Sequence, residues 1–442
     1  MTDYKALYAE KLISAEELAK QVESGWILGM DTAPSQAPAI MNAIAARVKS
    51  SDIKGVQVQT LLDAYPFEFY TDPDMFGKMT GYSWFSSGYA RKAINGGWAD
   101  LLPTYYRDIP RHIRAEYEYD AFCIEVSPMD SHGYFSLALN GSYAEAMIDK
   151  AKRVFVEVNE NQPRCLCGTQ LHVSQVDAIV EYNHELPVLP PVAIDEVSQT
   201  IGNLIAEQIP DGACIQLGIG AIPDATGMAL KSKHDLGIHT EMFTDSMVEL
   251  IECGAVNNSK KQIHRGKSVT TFAYGSKRIY DYVDDNPAIE ILPVDYVNNP
   301  EVICKNDNMI SINAAIEVDF FGQVCAESVG TKHMSGSGGQ IDFVRGACQS
   351  KGGKSFICMS STVTGKDGTV KSRIVPTLTP GSICTDPRSC THYIVTEYGM
   401  VNLKGLSTWQ RAEALIGIAH PDFREQLIAD AEKMHIWRRS NK

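Results

Sequence analysis

Hydrophobic and polar residues follow two spacings along this chain, one typical of helices and one typical of strands. The segment ISAEELAKQVESG carries apolar residues at helical spacing, and Ser14 with Glu17 forms a capping-box pattern that predicts a helix start. Next come a predicted short strand, a glycine-containing turn, a helix led by Pro38, a loop and a second strand. Further apolar runs predict five more strands: FCIEV, RVFVEV, ISINAAIEV, SFICMSS and HYIVTEY.

Helical segments alternate with these strands. SKRIYDYVDD has a helical pattern, as has LSTWQRAEALIGIA, in which Ser407 and Gln410 repeat the capping pattern. Alternation of this kind favours parallel or mixed sheets covered by helices. The sequence therefore predicts the α/β class.

The order of elements at the start of the chain recurs later as helix, glycine, strand, glycine turn, proline-led helix and strand. Three pairs of positions correspond: Gly25 with Gly212, Pro38 with Pro223, and Gly55 with Gly237. This weak repeat predicts two α/β halves of related topology. It also aligns Gln59 with Glu241, so that only the second half has a carboxylate at this position.

A proline-rich stretch, EYNHELPVLPPVAIDE, predicts a linker near 184–196. A chain of 442 residues suits two or three domains of about 100–200 residues each. We predict an N-terminal domain over 1–188 and a C-terminal domain over 195–442 that carries Glu241.

Composition limits the class of partner. The net charge of −14 argues against nucleic acid or an anionic membrane surface as the main partner. No apolar run reaches the roughly 18 residues of a membrane span, and the N-terminal segment lacks an apolar signal core. The eleven cysteines are scattered, and neither Cys165 with Cys167 nor Cys384 with Cys390 fits a zinc pattern. We expect reduced thiols in a cytoplasmic protein.

The segment QLGIGAIPDA is the first candidate ligand site. A strand runs into Gly218 and Gly220, and Pro223 then starts a helix. Glycines let a ligand approach the backbone, and a helix N-terminus offers free N–H groups to an anion. A tight turn that binds nothing is the alternative interpretation.

Glu241, in LGIHTEMFTDSM, fits several kinds of site. It could hold a ribose, as in the dinucleotide fingerprint, but Pro223 occupies the position where that fingerprint needs its third glycine. A metal site formed by His234, His239, Glu241 and Asp245 lacks a compact ligand motif. A helix cap and a nucleophile are the other roles that this acid could have, and the segment alone does not choose among the four.

A second glycine-rich stretch, SGSGGQIDFVRGA, could direct backbone N–H groups at an oxygen that gains charge. A flexible surface hairpin is an equally good interpretation of this segment alone. Lys366 and Lys371 lie in a predicted turn, where they are either solvated lysines or phosphate contacts. His132 and Glu397 lie near glycines at predicted strand ends, and we interpret both as structural residues.

Five segments, taken together and in order, are similar to one known family: QLGIGAIPDA, GIHTEM, SGSGGQIDFVRGA, VTEYG and AHPDFREQL. They resemble the acetyl-CoA hydrolase/transferase family of family I coenzyme A transferases. Within it, segments such as SPMDSHGYF and GLSTWQRAEALI are most similar to butyryl-CoA:acetate CoA-transferases, whereas PVDYVNNP is shared with 4-hydroxybutyrate CoA-transferases.

This resemblance implies two related α/β domains with mixed or parallel sheets, an active site at their interface, and a homo-oligomer. It implies that Glu241 is a nucleophile that forms a glutamyl-CoA thioester, with acyl-CoA and acetate as substrates and no metal or permanently bound cofactor. The coenzyme A contacts that it implies are Gln216, Leu217, Gly218, Ile219, Gly220, Ile316, Gly338, Gly339 and Lys366. A thioester hydrolase and a non-catalytic acyl-CoA-binding or dinucleotide-binding subunit are the alternatives.

Overall fold

The computed structural model describes residues 3–166, 168–190 and 192–437, which form two compact units. Unit 1 comprises Met1–Pro190, Glu241–Asp245 and Lys267–Val297, and unit 2 comprises Pro191–Thr240, Ser246–Gly266 and Asn298–Lys442. These units group residues by contact and are not continuous in sequence. The predicted limits of 1–188 and 195–442 concern continuous domains and stay predictions.

A seven-stranded sheet forms the centre of unit 1. Its strands, in chain order, are β1 (Ile27–Met30), β2 (Val56–Thr60), β3 (Met79–Ser83), β4 (Asp100–Leu101), β5 (Ala121–Val126), β6 (Val154–Val158) and β7 (Ala178–Glu181). Their spatial order is β4-β3-β2-β1-β5-β6-β7, and every neighbouring pair is parallel.

The central strands of this sheet are buried because both of their faces are covered. Every residue of β5 and β6 is buried, as expected of parallel strands with helices on both sides. Leu28 of β1 lies beside Val58 on one side and Ala121 on the other. The helix Pro38–Ser50 connects β1 to β2, and its apolar residues pack into the same core.

The other α-helices of unit 1 are Tyr4–Lys11, Ala15–Ala19, Glu68–Thr71, Gly88–Gly96, Ile109–Glu116, Ala144–Lys150, Lys277–Val283 and Val294–Val297. Three small sheets complete the unit: Tyr134–Ser136 with Gln170–His172, Met242–Phe243 with Phe272–Ala273, and Ser268–Thr270 with Ile289–Ile291.

A six-stranded mixed sheet forms the centre of unit 2. Its strands are β8 (Cys214–Leu217), β9 (Gly237–Ile238), β10 (Met309–Ala314), β11 (Lys354–Cys358), β12 (Tyr393–Thr396) and β13 (Gly399–Asn402). Their order is β9-β8-β10-β11-β12-β13, and only the last pair is antiparallel. The predicted α/β class with parallel and mixed sheets is confirmed.

The longer helices of unit 2 are α1 (Glu196–Glu207), α2 (Ala221–Ala229), α3 (Gln340–Gln349), α4 (Thr408–Gly417) and α5 (Pro421–Lys433). Pro300–Ile303 is a short helix, and Asp245–Glu252 follows the strand Met242–Phe243. Small sheets pair Glu317–Asp319 with Val324–Cys325 and Ile374–Val375, Ser328–Val329 with Lys332–His333, and Thr362–Thr364 with Val370–Ser372.

The repeat seen in the sequence is a repeat of topology. In unit 1 a helix joins the parallel strands β1 and β2, and in unit 2 α2 joins the parallel strands β8 and β9. Among the described residues, no helix has the length and apolar character needed to cross a membrane.

Candidate active site

Glu241 directly precedes the strand Met242–Phe243 of unit 1 and is half-buried. Its carbonyl oxygen accepts three hydrogen bonds, from the backbone N–H groups of Thr271 at 3.0 Å and Phe272 at 3.3 Å and from Oγ1 of Thr270 at 2.9 Å. Both strand residues that follow it are buried. The main chain of Glu241 is therefore held firmly within unit 1.

The metal alternative for Glu241 does not fit this geometry. Asp245, one of its proposed ligands, accepts hydrogen bonds from the backbone N–H of Ser276 at 2.9 Å and from the Ser276 hydroxyl. Across the described residues, the only group of three potential ligands with a metal-site spacing consists of Glu125, Glu157 and His184. The set His234, His239, Glu241 and Asp245 does not form such a group.

The aligned residue in the first half, Gln59, has a different environment. It is 1% exposed within β2, and its side-chain oxygen accepts a hydrogen bond from the Tyr119 hydroxyl. A buried, hydrogen-bonded amide has a structural role, whereas Glu241 is partly exposed. Gln59 and Glu241, which correspond in the repeat, therefore differ in solvent exposure as well as in charge.

In unit 2, the predicted coenzyme A loop separates into buried and accessible parts. Gln216 is 3% exposed, and its amide exchanges two hydrogen bonds of 3.2 Å with the amide of Asn313. Leu217 is also buried, but Ile219 is 54% exposed. The side chains of Gln216 and Leu217 are therefore packed inside unit 2, whereas the side chain of Ile219 is accessible.

Gly218 and Gly220 are required by the shape of this loop. The backbone N–H of Gly218 donates to Ile312 at 2.8 Å, and a Cβ at Gly218 would lie 3.2 Å from the same carbonyl oxygen. Gly220 has a φ of +126°, which L-residues rarely adopt, and it immediately precedes α2. The loop thus brings the N-terminus of α2 to the surface of unit 2.

A cavity of about 410 Å³ opens at this helix N-terminus and lies wholly within unit 2. Its volume falls in the usual range of small-molecule sites. The residues that line it are Asp195, Val197, Ser198, Gly220, Ala221, Ile222, Pro223, Ala314, Ser360, Thr362, Arg373 and Glu397.

The charged residues that line the cavity are Arg373, Glu397 and Asp195. Burial lowers the pKa of the half-buried Arg373 guanidinium, and the nearby charge of Glu397 opposes that change. The Glu397 carboxylate accepts hydrogen bonds from the backbone N–H of Ser361 at 2.8 Å and from its hydroxyl at 2.5 Å. The guanidinium and the N–H groups of α2 together can attract an anionic group.

The second glycine stretch is an ordered loop of unit 2 that leads into α3. The carbonyl oxygen of Glu327 accepts from the backbone N–H groups of Met334 at 2.8 Å and Ser335 at 3.1 Å, and its carboxylate accepts from Ser337 Oγ at 3.2 Å. Gly338 has a φ of +53°, and Gly339 directly precedes α3. A buried acid therefore holds this loop, rather than the loop being a free hairpin.

Ile316 and Lys366 lie on segments that reach the cavity of unit 2. Ala314, at the end of β10, and Thr362, at the base of a hairpin, both line that cavity. Ile316 lies two residues after Ala314 and is half-buried. Lys366 is exposed in the turn of the hairpin that contains Thr362. Their contacts with coenzyme A stay predictions, as do those of the two glycine loops.

Other residues noted in the sequence have structural surroundings. His132 donates its backbone N–H to Asp130 in a tight turn of unit 1. Ten cysteines are described as free thiols, five of them buried, while Cys167 lies outside the described residues.

Comparison with known proteins matches two family models. The acetyl-CoA hydrolase/transferase N-terminal domain matches residues 1–190, and its C-terminal domain matches residues 275–431. The chain belongs to the acetyl-CoA hydrolase/transferase family. The family predicted from the sequence motifs is thereby confirmed.

Several known proteins are similar to this chain over nearly its whole length. A butyryl-CoA:acetate CoA-transferase of Anaerostipes caccae is 45% identical over 99% of this chain and 100% of its own length. A 4-hydroxybutyrate coenzyme A transferase of Clostridium kluyveri is 43% identical over 98% of this chain and 99% of its own. The crystal structure of RipA from Yersinia pestis is 40% identical, with a TM-score of 0.91 over 98% of this chain and 100% of its own.

Arg373, Ser360 and Thr362 are cavity residues of this family member that the sequence did not identify. They lie far along the chain from the glycine loop at Gly220, and no local motif marks them. The order of strands brings the segments of Gly220 and Ser360 together, because β8 and β11 both pair with β10. Arg373 is held beside them because its backbone N–H donates to Ser361 at 2.9 Å.

Proposed function

We propose that this member of the family is an acyl-CoA:carboxylate CoA-transferase that exchanges coenzyme A between butyryl-CoA and acetate through Glu241. The full-length similarity to proteins named as CoA-transferases supports transfer of coenzyme A. The observation that carries the assignment of Glu241 is its half-buried carboxylate on a main chain fixed by three hydrogen bonds. The predicted homo-oligomer and cytoplasmic location are part of this proposal.

The first half-reaction separates coenzyme A from the acyl group. A carboxylate oxygen of Glu241 attacks the thioester carbonyl carbon, the carbon–sulfur bond breaks, and a mixed anhydride and the coenzyme A thiolate form. The thiolate attacks the glutamyl carbonyl carbon, the carbon–oxygen bond breaks, and butyrate leaves. The product is a glutamyl-CoA thioester, which preserves the energy of the original thioester without ATP.

The second half-reaction runs the same steps with acetate. An acetate oxygen attacks the glutamyl carbonyl carbon and expels the thiolate, which gives an acetyl–glutamyl anhydride. The thiolate then attacks the acetyl carbon, so that acetyl-CoA forms and the Glu241 carboxylate is restored. No general base is required, because a glutamate is ordinarily ionised at neutral pH.

The two glycine loops supply the remaining functions in this proposal. Each attack produces a tetrahedral oxyanion, and backbone N–H donors of the kind found in glycine loops stabilise such charges by about 10²–10³-fold in rate per donor. The cavity beside Gly220 accommodates part of coenzyme A, where Arg373 and the N-terminus of α2 attract phosphate.

The acyl preference follows from relatives that differ in substrate. One is named for butyryl-CoA and another for 4-hydroxybutyrate, and their identities to this chain are 45% and 43%. An apolar pocket rejects an added hydroxyl by only about 10²-fold. We therefore expect butyryl-CoA to be preferred and 4-hydroxybutyryl-CoA to be a slower substrate.

A substrate panel tests this proposal. Butyryl-, propionyl-, crotonyl- and 4-hydroxybutyryl-CoA are each assayed with acetate as acceptor, and thiol release is measured without acetate. Butyryl-CoA should give the highest kcat/KM, and thiol release should be at least about 10²-fold slower than exchange, since exclusion of water protects the intermediates. Equal rates of thiol release and exchange would instead identify a thioester hydrolase.

The matched variants are Glu241→Gln and Glu207→Gln. The first removes the nucleophile and should lower exchange by roughly 10³-fold or more. The second changes an exposed glutamate at the end of α1 in the same way and should retain wild-type exchange. Full activity in Glu241→Gln would exclude the proposed mechanism.

A further inference from the structure

A pair of hydroxyl groups lies in the interior of unit 1, near the strand that follows Glu241. Tyr106 is 2% exposed, and its hydroxyl oxygen lies 2.5 Å from Oγ of the fully buried Ser142. Neither residue belongs to a motif that the sequence singled out. A tyrosine and a serine buried together in this way have their hydroxyl directions fixed by each other.

One run of backbone hydrogen bonds holds this pair and Glu241 in register. The carbonyl oxygen of Glu241 accepts from the backbone N–H of Thr271, whose own carbonyl accepts from Gly141 at 2.8 Å and Ser142 at 3.2 Å. All of these residues belong to unit 1. Moving the main chain of Ser142 relative to that of Glu241 would require breaking these backbone hydrogen bonds.

The ring of Tyr106 is fixed on the same strand pair. It packs edge-to-face on Phe272, with 6.3 Å between ring centroids, and the backbone N–H of Phe272 also donates to Glu241. The ring of Tyr106 thus packs on a residue that bonds the main chain of Glu241, and its hydroxyl pairs with Ser142, which is linked to Glu241 through Thr271.

The electrostatic environment keeps the Tyr106 phenol protonated. Burial raises its pKa well above the ordinary value, and the negative charge of Glu241 raises the pKa further. Asp31, the other acid near Tyr106, is fully buried, and desolvation raises its own pKa well above the usual range. Because the phenol is neutral, it can act only as a hydrogen-bond donor toward a carboxylate.

We propose that Tyr106 is a positioning residue for Glu241, whose carboxylate it stabilises by donating its hydroxyl hydrogen while the Ser142 hydroxyl donates to the phenol oxygen. Hydrogen bonds of this kind are often long before substrate binds and tighten in the reacting complex. Tyr106 keeps its proton throughout, and no bond to it forms or breaks. The proposal rests on the proposed role of Glu241 as nucleophile.

The first test compares Tyr106→Phe with Tyr105→Phe. Tyr105 is the neighbouring residue, and its side chain is 36% exposed. Loss of one hydrogen bond to a charged group corresponds to roughly 10- to 100-fold, so Tyr106→Phe should lower kcat for butyryl-CoA:acetate exchange by that factor, with KM for butyryl-CoA changed less than about threefold. Tyr105→Phe should match the wild type.

A pH profile separates positioning from a loss of packing. Without the donor the ionised form of Glu241 is less stable, so the acid limb of log kcat/KM in Tyr106→Phe should move to higher pH. A purely structural effect would lower the whole profile without moving that limb. An unmoved limb, or a wild-type kcat, would overturn the proposal.

The variant Ser142→Ala provides a second, independent test of the proposal. It leaves the phenol in place but removes its partner, so kcat should fall less than in Tyr106→Phe, and adding it to Tyr106→Phe should cause little further loss. Fully additive losses would contradict the proposed coupling of the two hydroxyl groups. If Tyr106→Phe does not fold, Ser142→Ala decides alone: an acid limb that moves to higher pH supports the positioning role, and an unmoved limb overturns it.

The covalent intermediate distinguishes the failure of this proposal from failure of the proposed function. If wild-type protein incubated with butyryl-CoA carries no coenzyme A adduct on Glu241, the proposed function itself is wrong. If the wild type carries the adduct and Tyr106→Phe forms it at the wild-type rate, only the positioning role is overturned.

Discussion

Asp386 illustrates how burial alters a single side chain beside the second glycine loop. It is fully buried, and one carboxylate oxygen accepts from Gln340 Nε2 of α3 at 2.7 Å. Burial raises the pKa of this carboxyl to about 7, since the Gln340 hydrogen bond and Arg345 only partly offset the desolvation and the like charge of Glu327. Near neutral pH, a proton on this residue therefore affects the element that carries the loop.

The shifted pKa of Asp386 predicts a pH-dependent stability. The folded carboxyl holds its proton up to about pH 7, whereas the unfolded one releases it near 3.8. The folded state therefore binds more protons between these values, and the free energy of unfolding should fall as pH rises through this interval, by up to about 1.4 kcal/mol per pH unit.

Asp386→Asn removes this ionisation. The stability of the variant relative to the wild type should rise between about pH 4 and pH 7 and then stay level, as measured by urea unfolding across that range. Asp74→Asn, which alters an exposed aspartate, should follow the wild type. A stability difference between Asp386→Asn and the wild type that does not vary with pH would contradict the assigned burial.

The residue scale also shows which site residues a sequence can reveal. Gly218, Gly220 and Glu241 could be predicted as site residues because each lies in a short segment with a recognisable pattern, and Gly220 has the positive φ that a glycine turn permits. Arg373 was not identified, because an isolated arginine in a strand-rich segment has no distinguishing neighbours.

At the scale of elements, the contact between α1 and α2 supports the first glycine loop. Gly202 of α1 faces α2 so closely that a Cβ would lie 2.8 Å from the backbone carbon of Ala225 and the nitrogen of Thr226. Backbone atoms cannot move aside as a flexible side chain can. The position of the start of α2, where the cavity opens, therefore depends on Gly202 in the neighbouring helix α1.

Gly202→Ala should destabilise the protein by about 1–3 kcal/mol, because the added methyl group separates the two helices. Gly417→Ala is the matched control, because a Cβ at this helical glycine meets no atom within 4 Å. It should be neutral or stabilising by up to about 1 kcal/mol, since alanine favours helix. Chemical denaturation of both variants measures the difference, and equal stabilities would contradict the close helix contact.

Some strands in the structure differ from those that the hydrophobic pattern predicts. ISINAAIEV predicts one strand, but the chain forms β10 and then Glu317–Asp319 in a different sheet, where it pairs with Val324–Cys325 and Ile374–Val375. An apolar run shows that a segment is buried but not which neighbours bury it. The predicted caps at Ser14 and at Ser407 with Gln410 were correct because capping depends only on nearby residues.

At the scale of the whole molecule, the two units repeat one arrangement and differ in chemistry. Each has a helix joining two parallel strands near its start, but Gln59 of unit 1 is buried, and Glu241 follows the corresponding strand of the repeat. The fold class was predictable because alternating strands and helices leave few arrangements. The assignment of Glu241–Asp245 to unit 1 was not predictable, since it depends on contacts with residues near 270.

The central claim is that the Glu241 carboxylate carries coenzyme A during turnover. The direct measurement is peptide mass spectrometry of protein incubated with butyryl-CoA, without and with added acetate. We predict a coenzyme A adduct on Glu241 that acetate removes as acetyl-CoA forms. A modification at another residue, such as the exposed Cys253 or Cys384, or continued turnover with Glu241 unmodified, would contradict the account.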